Sequence, residues 1–209
     1  MLENVSINCH SSIKFNKDKV IYFDPFRVKN EAHDADLIFC THTHYDHFSE
    51  EDILKIKKED TKIVITKDGK DNAEKLGFSE ENIITVKPNE EYNISKINVK
   101  TVNAYNENKK FHPKENEWVG YILNIGDIKY YIAGDTDITK EARKISCDVA
   151  FLPIGGTYTM TATEAASLAN EIRPKIAVPT HYGEIVGEKD DVNEFKNILN
   201  SNIECVELI

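Results

Sequence analysis

The chain has 209 residues, 40% of them apolar and 30% charged, with a formal net charge of −10 and a pI near 5.2. That is enough apolar material for one sizeable core, and the acidic balance disfavours nucleic-acid backbones and anionic membrane surfaces as partners. No apolar run approaches the roughly 20 residues of a membrane span, and the opening MLENVSINCHSS has no secretory pattern, so a cytoplasmic protein with no membrane partner is expected. Cys9, Cys40, Cys147 and Cys205 form no CxxC pair and no disulfide framework. They are expected to be reduced, mostly buried thiols. No low-complexity linker or internal repeat interrupts the chain, so residues 1–209 are read as one domain.

In chain order, short strands are predicted at 3–8, 12–16 and 19–23, and LIFC (37–40) reads as a fully buried strand because every residue is apolar. Ser49 and Asp52 have capping-box spacing before a helix that should run to about Lys58. TKIVIT (61–66) is another buried strand, and a helix over 68–76 should end at Gly77. From about 83 to 133 the pattern favours strands. INVKTV (97–102) and WVGYILNI (118–125) alternate, and Gly126-Asp127 marks a hairpin into IKYYIAG (128–134). A short helix is predicted near 139–145, then a buried strand DVAFLP (148–153). Thr161 and Glu164 form a Ser/Thr-x-x-Glu box opening a helix over 161–174 that stops at Pro174. KIAVPT (175–180) is a strand, followed by a helix at 190–199 and a strand at 203–207. Strands alternating with helices in each half suggest two sheets packed face to face with helices outside, a four-layer αββα sandwich.

The chemistry is concentrated in THTHYDHF (41–48), at the mouth of the buried LIFC strand. His42 and His44 are two residues apart and share a face in extended backbone, so both imidazoles can serve one ion. Asp46 and His47 follow after a turn, to complete that site or begin a second. Imidazole with carboxylate suits zinc, manganese or iron(II). Asp135, in AGDTD (133–137), and His181, in PTHYG (179–183), each follow a predicted strand. A carboxylate between two cations offsets their repulsion. One or two divalent ions are therefore expected.

The order HxHxDH, GDTD and a late strand-end histidine resembles the metallo-β-lactamase superfamily. The wider context of YFDPF, ADLIFCTHTHYDHFS, AGDTD, LPIGGTYTMTATEAA and PTHYG looks like its branch of small metal-dependent hydrolases related to ascorbate-6-phosphate lactonase. The resemblance spans about residues 5–185 and implies the αββα fold with the site at one edge. It also implies roles close to the site for His10 and Asp24. One departure is plain. The superfamily has a further metal-binding histidine between HxHxDH and GDTD, and Asn106 stands where it is expected, with His112 six residues later. Three readings follow: His112 swings in, the Asn106 amide oxygen takes the place, or the first site keeps only His42 and His44.

The expected reaction is metal-dependent hydrolysis of a small ester, lactone or phosphodiester by a metal-bound hydroxide, with Asp46 orienting the nucleophile or moving its proton. The glycines of GGTYTM (155–160), before the Thr161 cap, suggest that Gly156, Thr157 and Tyr158 bind substrate, with a phosphate or carboxylate at the helix N-terminus. Tyr105 is read as pocket wall and Trp118 as core. The alternatives are a nuclease-type phosphodiesterase and a non-catalytic metal-binding sensor. Homo-oligomerisation is left open.

Overall fold

The computed structural model describes residues 1–209. The chain folds as two compact units, Leu2–Lys87 with Ile209, and Pro88–Leu208 with Met1. Each is built on one mixed sheet.

The N-terminal unit carries β1 (Val5–Ile7), β2 (Ile13–Asn16), β3 (Val20–Phe23), β4 (Ala35–Phe39), β5 (Lys57–Thr66) and β6 (Ile83–Val86), ordered as they occur in the chain. β1 to β3 form an antiparallel meander. β3 to β6 run parallel, with α1 (Glu50–Ile56) between β4 and β5 and α2 (Lys70–Lys75) between β5 and β6. Tyr22, Ile38, Ile53, Ile56, Ile63, Ile65 and Phe78 form the core on the helical side. Leu37, Ile38 and Phe39 are all buried, as a central parallel strand requires. α1 stops two residues earlier than predicted, because Lys57 is already extended and pairs with Ala35 across a register shift. Thr61 fixes that turn, accepting from Lys58 N at 2.9 Å and donating to Ala35 O at 2.6 Å. Tertiary hydrogen bonds thus override the helical propensity of the lysine-rich stretch.

The C-terminal unit holds β7 (Glu91–Ile94), β8 (Ile97–Asn103), β9 (Val119–Ile125), β10 (Ile128–Ile132), β11 (Val149–Pro153), β12 (Ile176–Thr180) and β13 (Glu204–Cys205), again in sequential order across the sheet. β7 to β10 are antiparallel and β10 to β13 parallel. α3 (Ala162–Ile172) joins β11 to β12, and α4 (Asp191–Ile198) joins β12 to β13. Gly126 makes the predicted hairpin with φ +62. α3 has the full capping box at Thr161 and Glu164 and ends in a left-handed Arg173 just before Pro174. Its alanines let it lie close on Tyr131, Ala150, Leu152 and Phe195. The predicted helix near 139–145 is only a 3-10 turn at Ala142–Lys144, and the last strand is two residues long.

In each unit the parallel strands deliver their carboxyl ends to one edge of the sheet, where ligands of open α/β sheets are found. Asp24 and Thr41 leave β3 and β4 in the N-terminal unit. Asp135 and His181 leave β10 and β12 in the C-terminal unit.

Candidate metal centre

In the N-terminal unit one buried carboxylate organises the histidine stretch. Asp24 Oδ1 accepts from Thr41 N at 2.7 Å, and Asp24 Oδ2 accepts from the Thr41 hydroxyl at 2.9 Å and from His47 Nδ1 at 2.8 Å. With its proton given to Asp24, the Thr41 oxygen accepts from His42 Nδ1 at 3.0 Å. Both His42 and His47 are thereby set in the tautomer whose Nε2 carries the lone pair. Burial pushes the Asp24 carboxyl above its usual range, while His47 and Thr41 pull it back.

Beyond β4 the chain turns tightly, with His47 N and Phe48 N both donating to His44 O. The turn brings His42 Nε2 within 3.1 Å of His44 Nδ1. Asp46 Oδ2 lies 3.3 Å from His10 Nε2 and 3.6 Å from His47 Nε2. His10, fully buried, therefore belongs to this cluster rather than to the surface.

The C-terminal unit gathers its candidate ligands from separate loops. Asp135 Oδ2 is 3.0 Å from His181 Nε2 and 3.2 Å from His112 Nε2. Asn106 has another task. Its Oδ1 accepts from His112 N at 3.0 Å and from His112 Nδ1 at 3.1 Å, and its Nδ2 donates to Tyr158 O at 2.9 Å. Asn106 N also donates to His112 O at 2.8 Å. The amide oxygen is thus engaged on the far side of the imidazole, and it fixes the tautomer that turns Nε2 toward Asp135. The Trp118 ring, read from sequence as core, stands edge-on to His112 with centroids 5.6 Å apart. His181 depends on a missing side chain. A Cβ on Gly155 would lie 2.2 Å from His181 O.

His10, Asp24 and His181 all take left-handed backbone, at φ 53, 44 and 58. All three are buried. Such backbone costs about 1–3 kcal/mol per residue and persists where the surroundings over-determine it.

Some predicted features are used differently. Gly156 N donates to Met160 O at 3.0 Å and Thr157 N to Gly155 O at 2.9 Å. Thr161 N donates to Glu164 Oε2 at 2.8 Å. The loop and the α3 cap therefore spend these N–H groups internally, rather than on the anion expected from sequence. Tyr105 is buried, and its hydroxyl bonds Glu141 at 3.0 Å and Glu107 at 3.2 Å. His33 is exposed, as its polar loop suggests. Thr41 carried no distinguishing sequence signal, since it acts through a hydroxyl, and the GGTYTM glycines did not reveal that Gly155 acts by making room.

A profile of the β-lactamase superfamily domain matches residues 5–181. The chain belongs to that superfamily. A UPF0173 metal-dependent hydrolase of Thermococcus onnurineus is 30% identical over 94% of this chain and 92% of its own length. The crystal structure of a protein described as a metal-dependent hydrolase, from Parabacteroides distasonis, is 31% identical with a TM-score of 0.82, covering 98% of this chain and 91% of that one. CmlA, a diiron β-hydroxylase from Streptomyces venezuelae, shares the fold at 13% identity with a TM-score of 0.75, over 98% of this chain and 52% of its own. The fold is thus metallo-β-lactamase-like, and it does not by itself fix the reaction.

The donor sets suit a divalent cation. The 3.1 Å between His42 Nε2 and His44 Nδ1 is close to the spacing of two nitrogens sharing one ion at bonds of about 2.0–2.1 Å. Imidazole and carboxylate are the groups such ions take in hydrolases. No disulfide joins the four cysteines, and burial pushes the Cys40 thiol well above its usual range, Cys147 to about 12 and Cys205 to about 11, which disfavours their thiolates. Only Cys40 is fully buried; the other three are half-buried, against the expectation of mostly buried thiols. No helix is long and apolar enough to cross a membrane.

Proposed function

We propose that residues 1–209 act as one catalytic domain, a metal-dependent hydrolase of a small ester, lactone or phosphodiester. His42, His44, Asp46 and His47 of the N-terminal unit and His112, Asp135 and His181 of the C-terminal unit are its metal ligands, for one or two divalent ions, with zinc, manganese and iron as candidates. The observation that carries this reading is Asn106. Its oxygen holds His112 N and Nδ1, so His112 supplies the ligand that the superfamily pattern demands. The engagement of that oxygen argues against Asn106 itself as ligand. It likewise argues against a reduced, non-catalytic site.

When bound, such ions supply an activated water at neutral pH and polarise a carbonyl or phosphoryl oxygen. The protein does the rest. Asp46 orients the attacking water and takes its proton on the carboxylate. His10, 3.3 Å from Asp46 Oδ2, positions that carboxylate. Asp24 holds His47, and through Thr41 it holds His42. The deciding experiment is elemental analysis of protein purified without a histidine tag, as wild type and His112→Ala, alongside turnover of a panel of esters, lactones and phosphodiesters. Two ions falling to one, with turnover lost, is expected. Unchanged stoichiometry would sink the role of His112. Full activity in Asp46→Ala would refute the mechanism.

A further inference from the structure

Five large apolar side chains are exposed: Met1, Tyr45, Leu54, Phe111 and Ile209. Met1 and Ile209 are chain ends, and Leu54 lies on α1. The two aromatics are different. Tyr45 stands between His44 and Asp46, and Phe111 immediately precedes His112. Exposed aromatic rings are thus confined to the two ligand-bearing loops, one in each unit.

Phe111 is also held rather than dangling. It is 46% exposed, yet its ring meets Tyr158 edge to face, with centroids 4.6 Å apart and planes at 87°. Tyr158 is tied by its carbonyl to Asn106 Nδ2 at 2.9 Å, the amide that orients His112. The pair therefore shares its anchor with a ligand, and its position is fixed relative to His112. A T-shaped pair leaves ring surface facing outward, where a third flat apolar group gains both aromatic contact and burial.

Several polar groups near the pair are already engaged. The N–H groups of Gly156 and Thr157 bond within their loop. The N-terminus of α3 is closed by the Glu164 carboxylate, which repels an anion. Lys109 is committed to Asp137 Oδ1 at 2.5 Å.

We propose that Phe111 and Tyr158 form an aromatic platform beside His112 that receives an apolar, preferably aryl, group of the substrate. The favoured substrates are then aryl or arylalkyl esters and lactones rather than phosphorylated sugars. This rests on the hydrolase reading above, so the test separates the two. Metal-loaded wild type, Phe111→Ala and Tyr158→Ala are titrated calorimetrically with phenylacetate and with acetate, and the metal content of each is measured. Wild type should bind phenylacetate about tenfold tighter than acetate. That preference should fall to about twofold in Phe111→Ala and to an intermediate value in Tyr158→Ala. Should Phe111→Ala lose metal through its neighbour His112, Tyr158→Ala decides, because its backbone carbonyl still holds Asn106. No preference in wild type, or a preference undiminished in the metal-replete variants, overturns the platform. In parallel, kcat/KM is measured for methyl and phenyl esters of one acid. Turnover with an equal phenyl-to-methyl ratio in wild type and variants defeats the platform and leaves the hydrolase. No turnover of either, with a binding preference that depends on Phe111, defeats the hydrolase and leaves the platform.

Discussion

The two proposed ligand sets are built by opposite means. In the N-terminal unit, His42, His44, Asp46 and His47 come from one turn after one strand, and a single carboxylate, Asp24, locks Thr41 and His47 behind them. In the C-terminal unit, His112, Asp135 and His181 come from three separate loops. There the locks are an amide closing a loop on itself, Asn106 on His112, and a glycine that makes room, Gly155 beneath His181. A hub of side chains orders the first set from within. The second depends on loops packing correctly on one another. Breaking the hub should therefore loosen His42 and His47 together, while breaking any one lock in the C-terminal unit should release one ligand.

The sharpest test of that contrast is Asp24→Ala. It leaves Thr41 N, the Thr41 hydroxyl and His47 Nδ1 without their shared acceptor in a fully buried position. Removing one side of such a buried pair costs about 3–5 kcal/mol, which lowers Tm by roughly 10 °C in a chain of this size. The loss should appear in metal-free protein, measured by thermal unfolding, because the hub is made of protein groups alone. If metal-free wild type and variant melt together, the hub does not order the set.

Asn106→Ala comes next. Two donors, His112 N and Nδ1, lose their acceptor, at about 3 kcal/mol together. Metal affinity should drop about 10- to 100-fold, the usual effect of removing the group that orients a ligand. Competition with a chelator measures that drop, and Asn106→Asp, which restores an acceptor oxygen, should recover much of it. No recovery would mean that Asn106 acts through packing rather than by holding the ring.

The same contrast explains what was legible in the sequence. HxHxDH betrays itself because its ligands are adjacent, and the strand ends before Asp135 and His181 follow from apolar runs and the Thr161 capping box. The three readings of the missing histidine could not be separated, because the Asn106 bond to His112 depends on a loop whose path no periodicity encodes. The role of the GGTYTM loop was hard to read for a related reason. Glycines there signal unusual backbone, but whether their N–H groups face a ligand or one another is decided by the loop's own hydrogen bonds. Gly155 makes this concrete. Its necessity is visible only once His181 O is found where a Cβ would stand.

Gly155→Ala tests that lock. The new Cβ would lie 2.2 Å from His181 O and 2.7 Å from Val186 Cγ2, so the backbone must shift. Overpacking of this kind costs about 2 kcal/mol, visible as a fall of about 4–8 °C in Tm. The displacement should fall on His181 while His112 keeps its place. NMR of the imidazole resonances should therefore show His181 moved and His112 unmoved. Movement of both would mean that the C-terminal set shares a hub after all.

The smallest effect is expected at Lys109. Its ammonium lies 2.5 Å from Asp137 Oδ1, and the same carboxylate accepts from Glu107 N at 3.0 Å. Together these fasten the loop that carries His112 to the segment following Asp135. Lys109 is about one-fifth exposed along its side chain and Asp137 less than one-tenth, so solvent screens the attraction only in part. Lys109→Ala should cost about 1.5 kcal/mol, the low end for a charged hydrogen bond, because Asp137 keeps its bond from Glu107 N. Salt gives the diagnostic. The Debye length shrinks from about 10 Å at 0.1 M to about 3 Å at 1 M, so the stability gap to wild type in urea should narrow at high salt if the contact is chiefly electrostatic. A gap that persists at 1 M salt would instead assign Lys109's contribution to the apolar stem packing over the loop. The fastening of His112 would then rest on the Asn106 and Asp137 backbone contacts alone.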